Sequence, residues 1–404
     1  MKTLRITGEI ETAVELLRRG KLVAVPTETV YGLAGNGMDP CVIESIYAVK
    51  GRPGVKPISL MVAGADAIED LCIDVPVTAR ALAEKFWPGP LTIVLLANSH
   101  VPEILRAGGK TVGLRCPNQE QTLQLLRELE FPLAVPSANP SGADSPKDAE
   151  DVFRYFNGQI SAVIDGGPCK LGLESTVLDL SSAPYRVLRQ GSLPVEEIMD
   201  TLVENMTVIG ITGGSGCGKT TALLELRRRG ALLLDCDVIY HELLEFSEDL
   251  ISEIREAFPS AVENGKVSRQ KLAELVFHNE KKLQLLNQIT HHYVFAELTR
   301  RLRNWAMNGG RLAAIDAIEL FSSRVSDLCD LTVAVTAPEE DRIARIMKRD
   351  GISRQQAESR IRAQRPEKYF EDNCDIVIRN DGDIGLFIKR FNKSMEDNLK
   401  TWIV

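Results

Sequence analysis

Short apolar runs alternate along the chain with stretches whose apolar residues recur at helical spacing. ETAVELLRRG sets Val14 and Leu17, with Leu16, on one side, as a half-buried helix does, and KLVAVPT behind it reads as a short buried strand. LTIVLLA, FPLAVPSAN, STVLDL and YRVLRQG read as further strands, with helical stretches over 78–86, 119–130 and 148–156. From residue 207 the pattern predicts strands over 207–212, 231–235, 311–316, 331–336 and 375–379, and helices over 219–229 and 339–349. This alternation predicts an α/β protein with open, mostly parallel sheets.

The punctuation lies in GSLPVEEIMDTLVENM (191–206), a Gly/Pro turn and an acidic helical stretch before a new strand at Thr207. It predicts two domains, 1–205 and 206–404, as a length of 404 residues suggests. With 56 acidic against 48 basic side chains the net charge is −8. Residues 1–205 hold 19 basic and 26 acidic groups, net −7, and the remainder 29 and 30, net −1. Neither half grips nucleic acid by bulk positive charge, so anion binding must come from local clusters. No apolar run approaches the roughly 20 residues of a membrane span, and MKTLRITGEIE lacks a signal-peptide apolar core. Eight cysteines without a CxxC pair suggest neither a disulfide framework nor a zinc site. The expected setting is the cytoplasm, without a membrane partner.

VIGITGGSGCGKTT carries the strongest chemistry. Gly213, four residues, then Gly218-Lys219-Thr220 is a phosphate-gripping loop between a strand and a helix. Glycines let successive N–H groups face a phosphate, Lys219 neutralises it, and the Thr220 hydroxyl is a Mg²⁺ ligand. The expected ATP contacts are Gly213, Gly214, Gly216, Cys217, Gly218, Lys219, Thr220 and Thr221, with Arg345 from DRIARIMKRDG. ATP is favoured because no NKxD guanine motif is apparent. ALLLDCDVI ends on Asp235 and Asp237, two apart and on one side of an extended chain. Asp237 is the candidate base for an acceptor hydroxyl, with helix capping as its bland alternative. Arg342, Arg345, Arg349, Arg360, Arg362 and Arg365 lie at helical spacing; one or two of them are expected to act in catalysis.

Residues 207–404 resemble dephospho-CoA kinases through this loop, the DxD strand end, VSRQKLAELVF, QITHHYVF, TVAVTAPEEDRIARIMKR and CDIVIRND. The resemblance implies a P-loop kinase domain with a parallel sheet and a helical lid over 353–366. It implies γ-phosphoryl transfer from ATP to the ribose 3′-hydroxyl of dephospho-CoA. Asp237 would then be the base, Asp235 and Arg269 acceptor-side residues, and Thr220 the metal ligand. The chain departs from the family with His291-His292 in place of His-Pro, and with IELFSS (318–323) in place of a PLLFE-like stretch. Another acceptor or a regulatory role is the alternative for this half.

The first half has no textual phosphate loop. VPTETVYGL follows a buried strand, and AVKGRPGVKPISLMV places Lys50, Arg52 and Lys56 on a Gly/Pro-stiffened turn. Three cations held so close repel one another unless an anion sits among them. Arg115 in VGLRCP, Ser137 and Asn139 in AVPSANPSG, Ser175 beside Thr176, and Arg189 in VLRQG lie near strand ends. In order, PTETVYGL, KxRP, KPI, WPGPLT, VGLRCP, PSANPSG, ESTVLDL and LRQG resemble the YrdC-like threonylcarbamoyl-AMP synthases over roughly residues 5–200. That resemblance implies a twisted α/β sheet domain that joins L-threonine, bicarbonate and ATP. The products are L-threonylcarbamoyl-adenylate, passed to t6A-transfer proteins and so indirectly to tRNA, and pyrophosphate. Lys50 and Arg52 would hold phosphates, and Ser137, Asn139 and Arg189 the nucleotide. Thr27, Lys56, Arg115 and Ser175 would hold threonine and carbamate. An RNA-binding module is the alternative from a different class, and the net −7 opposes it.

Overall fold

The computed structural model describes residues 2–276 and 279–399. Phe277, which closes VSRQKLAELVF, lies outside them. The chain forms two compact units, one running to Asn205 that also takes in Met307–Gly309, and one made of the rest from Met206 onward. Among the described residues, no helix is long and apolar enough to cross a membrane.

The first unit is built on β1 (Leu4–Ile6), β2 (Val23–Val25), β3 (Gly32–Asn36), β4 (Leu60–Met61), β5 (Leu91–Leu96), β6 (Thr111–Arg115), β7 (Leu133–Ala134), β8 (Ala162–Ile164), β9 (Thr176–Asp179) and β10 (Arg186–Arg189). They form one sheet in the order β1-β8-β2-β3-β7-β4-β6-β5-β9-β10. The expectation of a mostly parallel sheet fails here. β2–β3, β3–β7, β4–β7, β5–β6 and β9–β10 pair antiparallel. The links 26–31 and 180–185 are shorter than the dozen or so residues of a parallel crossover, so neighbouring strands turn back on each other. Leu17 of the helix Glu11–Arg18 and Leu125 of the helix Glu120–Glu128 pack with Val23, Val25, Ala162 and Ile164 in one core. The helix Pro40–Lys50, absent from the expected elements although Val42, Ile43, Ile46 and Tyr47 recur at helical spacing, starts with Pro40 after an Asp39 cap. It stops at Gly51 in the left-handed region (φ 57°), so Lys50 ends the helix and Arg52 opens the turn that follows.

The second unit contains β11 (Thr207–Thr212), β12 (Leu232–Asp235), the small hairpin β13 (Val262–Glu263) and β14 (Lys266–Val267), then β15 (Leu312–Asp316), β16 (Leu331–Thr336) and β17 (Ile376–Arg379). Its main sheet runs β12-β15-β11-β16-β17, with each pair parallel. Open parallel sheets bind ligands beyond the carboxyl ends of their strands. Register brings Asp316 opposite both Ile211 and Asp235 at that edge. Buried Phe387 and Phe391 of the helix Ile384–Asn398 pack, rings 6.3 Å apart, in the core that also holds Ile209, Ile211, Val333 and Val335.

Two local expectations change. Asp235 and Asp237 do not share an extended segment, because the helix Cys236–Phe246 begins immediately after Asp235. The Asp235 carboxylate accepts from the N–H groups of Asp237 and Val238, at 2.9 and 3.1 Å, so Asp235 rather than Asp237 caps that helix. The helix expected over 353–366 is shorter, Arg354–Arg362, and a separate helix, Glu367–Asn373, follows Pro366.

Phe391→Ala removes a fully buried ring and should cost the second unit about 3–5 kcal/mol. Denaturant titration followed by a probe in that unit reads the loss; an unchanged midpoint would place the ring outside the core.

Candidate active sites

In the first unit, Arg52, Arg115, Ser137, Ser175 and Arg189 line one cavity of about 140 Å³ with Tyr31, Thr92 and Glu174. Strand ends deliver three of them: Arg115 closes β6, Arg189 closes β10 and Ser175 precedes β9. Arg189 donates from Nε and Nη2 to the Ser175 carbonyl (3.0 and 2.8 Å) and from Nη2 to its hydroxyl (3.0 Å). The Ser175 and Thr92 hydroxyls pair at 2.8 Å. Lys50 is buried, and its ammonium donates to the carbonyls of Ser137 and Asn139. Arg52 donates to the carbonyls of Lys56 (3.1 Å) and Pro57 (2.9 Å), folding the turn around its own guanidinium. Asn139 Oδ1 is buried and accepts no hydrogen bond among the described residues.

Four residues expected at this site, Thr27, Lys50, Lys56 and Asn139, are not among the residues that line the cavity. The Thr27 hydroxyl accepts from the N–H groups of Thr29 and Val30, both at 3.1 Å, and organises the turn after β2 rather than lining the cavity. Lys56 is exposed on its loop. Glu28, quoted within PTETVYGL without a role, proves structural to the site. Its Oε1 accepts from Arg115 Nη2 at 2.9 Å and its Oε2 from the Asn118 N–H at 2.9 Å. Thr29 Oγ1 accepts from the same Arg115 nitrogen at 2.8 Å. A carboxylate directly after a buried strand was the available signal.

Burial, with the Arg52 charge, pushes the Lys50 ammonium down to about 7, although the two carbonyls it holds favour its charged form. Burial also lowers Arg52 and Arg189; Glu174 opposes that at Arg189 and the Arg115 charge adds to it. The cavity thus gathers three guanidiniums, of which Arg115 is paired with Glu28 and Arg189 is partly offset by Glu174.

In the second unit the loop after β11 has Gly213, Gly216 and Gly218 at φ 132°, 77° and 110°. A Cβ on Gly213 would lie 2.2 Å from the Val335 carbonyl oxygen, so only glycine lets the loop pass β16. Lys219 opens the helix Lys219–Arg228, donates to the Gly213 carbonyl at 2.9 Å and lies 3.8 Å from Asp316 Oδ1. Arg345 donates to the carbonyls of Gly216 (3.1 Å) and Cys217 (3.4 Å), and Arg342 to that of Ser215 (3.0 Å). Gln364, at the end of the lid, accepts from Ser215 N and donates to its hydroxyl, at 2.9 and 2.7 Å.

Asp316 escaped the sequence reading, though LAAID ends on a carboxylate as plainly as LLLD does. Burial raises it to about 6; Lys219 pulls it down, while Asp235 and Asp237 push it up. Its Oδ1 is buried and accepts no hydrogen bond among the described residues. That orphaned oxygen and the Thr220 hydroxyl are hard donors of the kind Mg²⁺ takes. Among the described residues no three His, Cys, Asp or Glu side chains gather as a metal cage. Such sparse protein ligation suits an ion held largely by phosphate oxygens and water. Asp237 lies in the first turn after Asp235 and lines a cavity with Tyr240, His291 and Glu319. Arg269 lies near enough for its charge to oppose the upward push of burial on the Tyr240 phenol.

The phosphate loop makes the second unit a P-loop nucleotide-binding domain, and the first is a mixed-sheet domain with a cation-lined cavity. The family model for Sua5, YciO and YrdC, described as telomere recombination, matches residues 15–191, and the dephospho-CoA kinase model matches residues 207–385. A threonylcarbamoyl-AMP synthase of Pyrococcus abyssi is 44% identical over 196 residues, which are 48% of this chain and 58% of that one. A Mycobacterium tuberculosis protein provisionally named threonylcarbamoyl-AMP synthase is 36% identical, over 48% of this chain and 88% of its own. A dephospho-CoA kinase of Bacillus thuringiensis is 35% identical, over 44% of this chain and 90% of its own. The chain belongs to both families, joining a Sua5/YrdC domain to a dephospho-CoA kinase domain. It spans less than two thirds of the Pyrococcus protein's length.

Arg115 and Glu28 side chains are only 8% and 5% exposed. Glu28→Ala leaves a buried guanidinium without its counter-ion and should cost the first unit about 3–5 kcal/mol. A first-unit unfolding transition unmoved by Glu28→Ala would show that the pair is solvated.

Proposed function

We propose that the first unit forms L-threonylcarbamoyl-adenylate from L-threonine, bicarbonate and ATP, and that the second phosphorylates the 3′-hydroxyl of dephospho-CoA with ATP. For the first reaction, the observation that carries the reading is the meeting of Arg52, Arg115, Ser137, Ser175 and Arg189 at one cavity. The threonine amine and bicarbonate condense to a carbamate with loss of water, and a carbamate oxygen then attacks the α-phosphorus and expels pyrophosphate. The departing charge calls for preorganised cations more than for a protein nucleophile. Lys50 and Arg52 hold the phosphates; Ser137, Asn139 and Arg189 place the nucleotide. Arg115 takes the threonine carboxylate next to Ser175, while Thr27 and Lys56 contribute through the turns they shape. The adenylate then serves t6A modification of tRNA through transfer proteins, in the cytoplasm.

In the second unit the carrying observation is the convergence of Lys219, Asp235 and Asp316 at the carboxyl edge of the sheet, with Asp237 in the first turn of the helix that Asp235 caps. Residues 213–221 cradle the ATP phosphates, and Arg345 positions the loop by its carbonyls. Thr220 and Asp316 would hold Mg²⁺, which when bound neutralises charge on the phosphates. Asp237 takes the acceptor's proton as the hydroxyl oxygen attacks the γ-phosphorus and ADP leaves. Arg269 stands on the acceptor side. The alternative of another acceptor rests on Glu319 and Ser323, which line the acceptor cavity inside the stretch that departs from the family. Product analysis with ATP and dephospho-CoA separates the two.

Lys219→Ala in the full chain should reduce formation of 3′-phosphorylated product by a factor of about 10² or more and leave threonine- and bicarbonate-dependent pyrophosphate release intact. Loss of both reactions would contradict the separation of the sites.

The free Lys50 ammonium, at about 7, is increasingly neutral above that pH, and a bound triphosphate favours its charged form. The KM for ATP in pyrophosphate release should therefore rise as pH climbs from about 7 to 9, and Lys50→Arg should flatten the rise because arginine stays charged. A flat wild-type profile would remove Lys50 from the phosphate site.

A further inference from the structure

Among the described residues that line the cavity of the first unit, one side chain is a carboxylate, that of Glu174. It opens the stretch ESTVLDL, one position before Ser175. Glu28, the other carboxylate near Arg115, is buried and commits its two oxygens to Arg115 and the Asn118 N–H, and it does not reach the lining.

Glu174 is held at both ends. Its carbonyl accepts from the Ser192 N–H at 2.9 Å, and the chain passes so close that a Cβ on Gly191 would lie 2.1 Å from that oxygen. At the far end Ser145 Oγ donates to Oε1 at 2.7 Å, while Oε2 takes no hydrogen bond among the described residues. Nor is the carboxylate committed to an arginine. Arg189 feels its charge, but the three hydrogen bonds from that guanidinium go to Ser175. A half-buried carboxylate with one oxygen fixed and the other open is a receiver for a cationic donor. An α-amino acid needs two such partners in one pocket, a cation for its carboxylate and an anion for its ammonium.

We propose that Glu174 is a catalytic residue of the first unit. It receives the α-ammonium of the amino acid whose carboxylate Arg115 takes, and it removes the proton that keeps the nitrogen from reacting. The proposal rests on reading this unit as a synthase that carbamoylates an amino acid. An ammonium has no lone pair, so it must lose a proton before it can bond to carbon. One proton passes to Glu174, and the freed lone pair forms a bond to the carbon of bicarbonate. The bond from that carbon to its hydroxyl oxygen breaks, and the oxygen leaves as water with a second proton from the nitrogen. Glu174 then gives its proton to solvent and is a carboxylate again.

The test uses the full chain and reads binding and turnover separately. Calorimetry compares L-threonine with the dihydroxy acid of equal size in which a hydroxyl replaces the ammonium. The wild type should favour threonine by about tenfold or more, Glu174→Gln should lose most of that preference, and Glu174→Asp, which keeps the charge, should retain it. The glutamine amide oxygen still accepts from Ser145, so the exchange removes charge rather than support. In threonine- and bicarbonate-dependent pyrophosphate release, Glu174→Gln should lower kcat/KM for threonine by about 10² or more, with the KM for ATP changed far less. A wild type that shows no preference, or a glutamine variant that keeps either the preference or the rate, overturns the role. Normal pyrophosphate release by both wild type and Glu174→Gln retains the synthase reading and removes Glu174 from it. A preference that depends on Glu174 in a chain that releases no pyrophosphate keeps the ammonium seat and rejects the synthase reading.

Discussion

A cation that waits for a phosphate must be solvated by something that does not cancel it. Main-chain carbonyls meet that requirement, because their dipoles satisfy N–H donors while the net charge stays available. Both units use them. Lys50 donates to the carbonyls of Ser137 and Asn139, Arg52 to those of Lys56 and Pro57, and Arg189 to that of Ser175. In the second unit Lys219 rests on the Gly213 carbonyl, Arg342 on that of Ser215 and Arg345 on those of Gly216 and Cys217. The lowered Lys50, Arg52 and Arg189 register the same condition, since burial, which Glu174 offsets only in part at Arg189, makes the charged form costly until an anion arrives.

Arg115 is the instructive contrast. Its Nη2 is shared between Glu28 and Thr29, so its charge is largely balanced before any substrate binds. A balanced, immobilised fork suits a singly charged carboxylate, where orientation matters more than field. An unbalanced lysine beside an arginine suits a polyphosphate. The difference between the two kinds of anion in one cavity is thus written in what holds each cation.

How much of this was legible in the sequence follows from range. The loop from Gly213 to Thr220 is local, and strand, glycines and lysine appear in the text as they do in space. Asp235 and Asp237 were legible as residues but not as geometry, because the cap bond from Asp235 starts the helix earlier than alternation implies. Lys50 was legible as a cation on a stiff turn, but its carbonyl partners lie 87 and 89 residues away. No spacing rule reaches that far. The mixed order of the first sheet was hidden for the same reason: pairing direction depends on which strands become neighbours, and helix–strand alternation is silent on that.

The pairing of two reactions in one chain makes limited demands on the protein. The cavity of the first unit is lined from Val30 to Arg189, and the phosphate loop of the second takes its partners from Ser215 to Asn380. Each set of cations is therefore fixed by carbonyls of its own unit, and neither needs the other for its charge or its shape. ATP use is common to both families. Under the proposed function the two units differ in where the nucleophile would be held, beside Arg115 and Ser175 for attack at the α-phosphorus and beside Asp237 for attack at the γ-phosphorus.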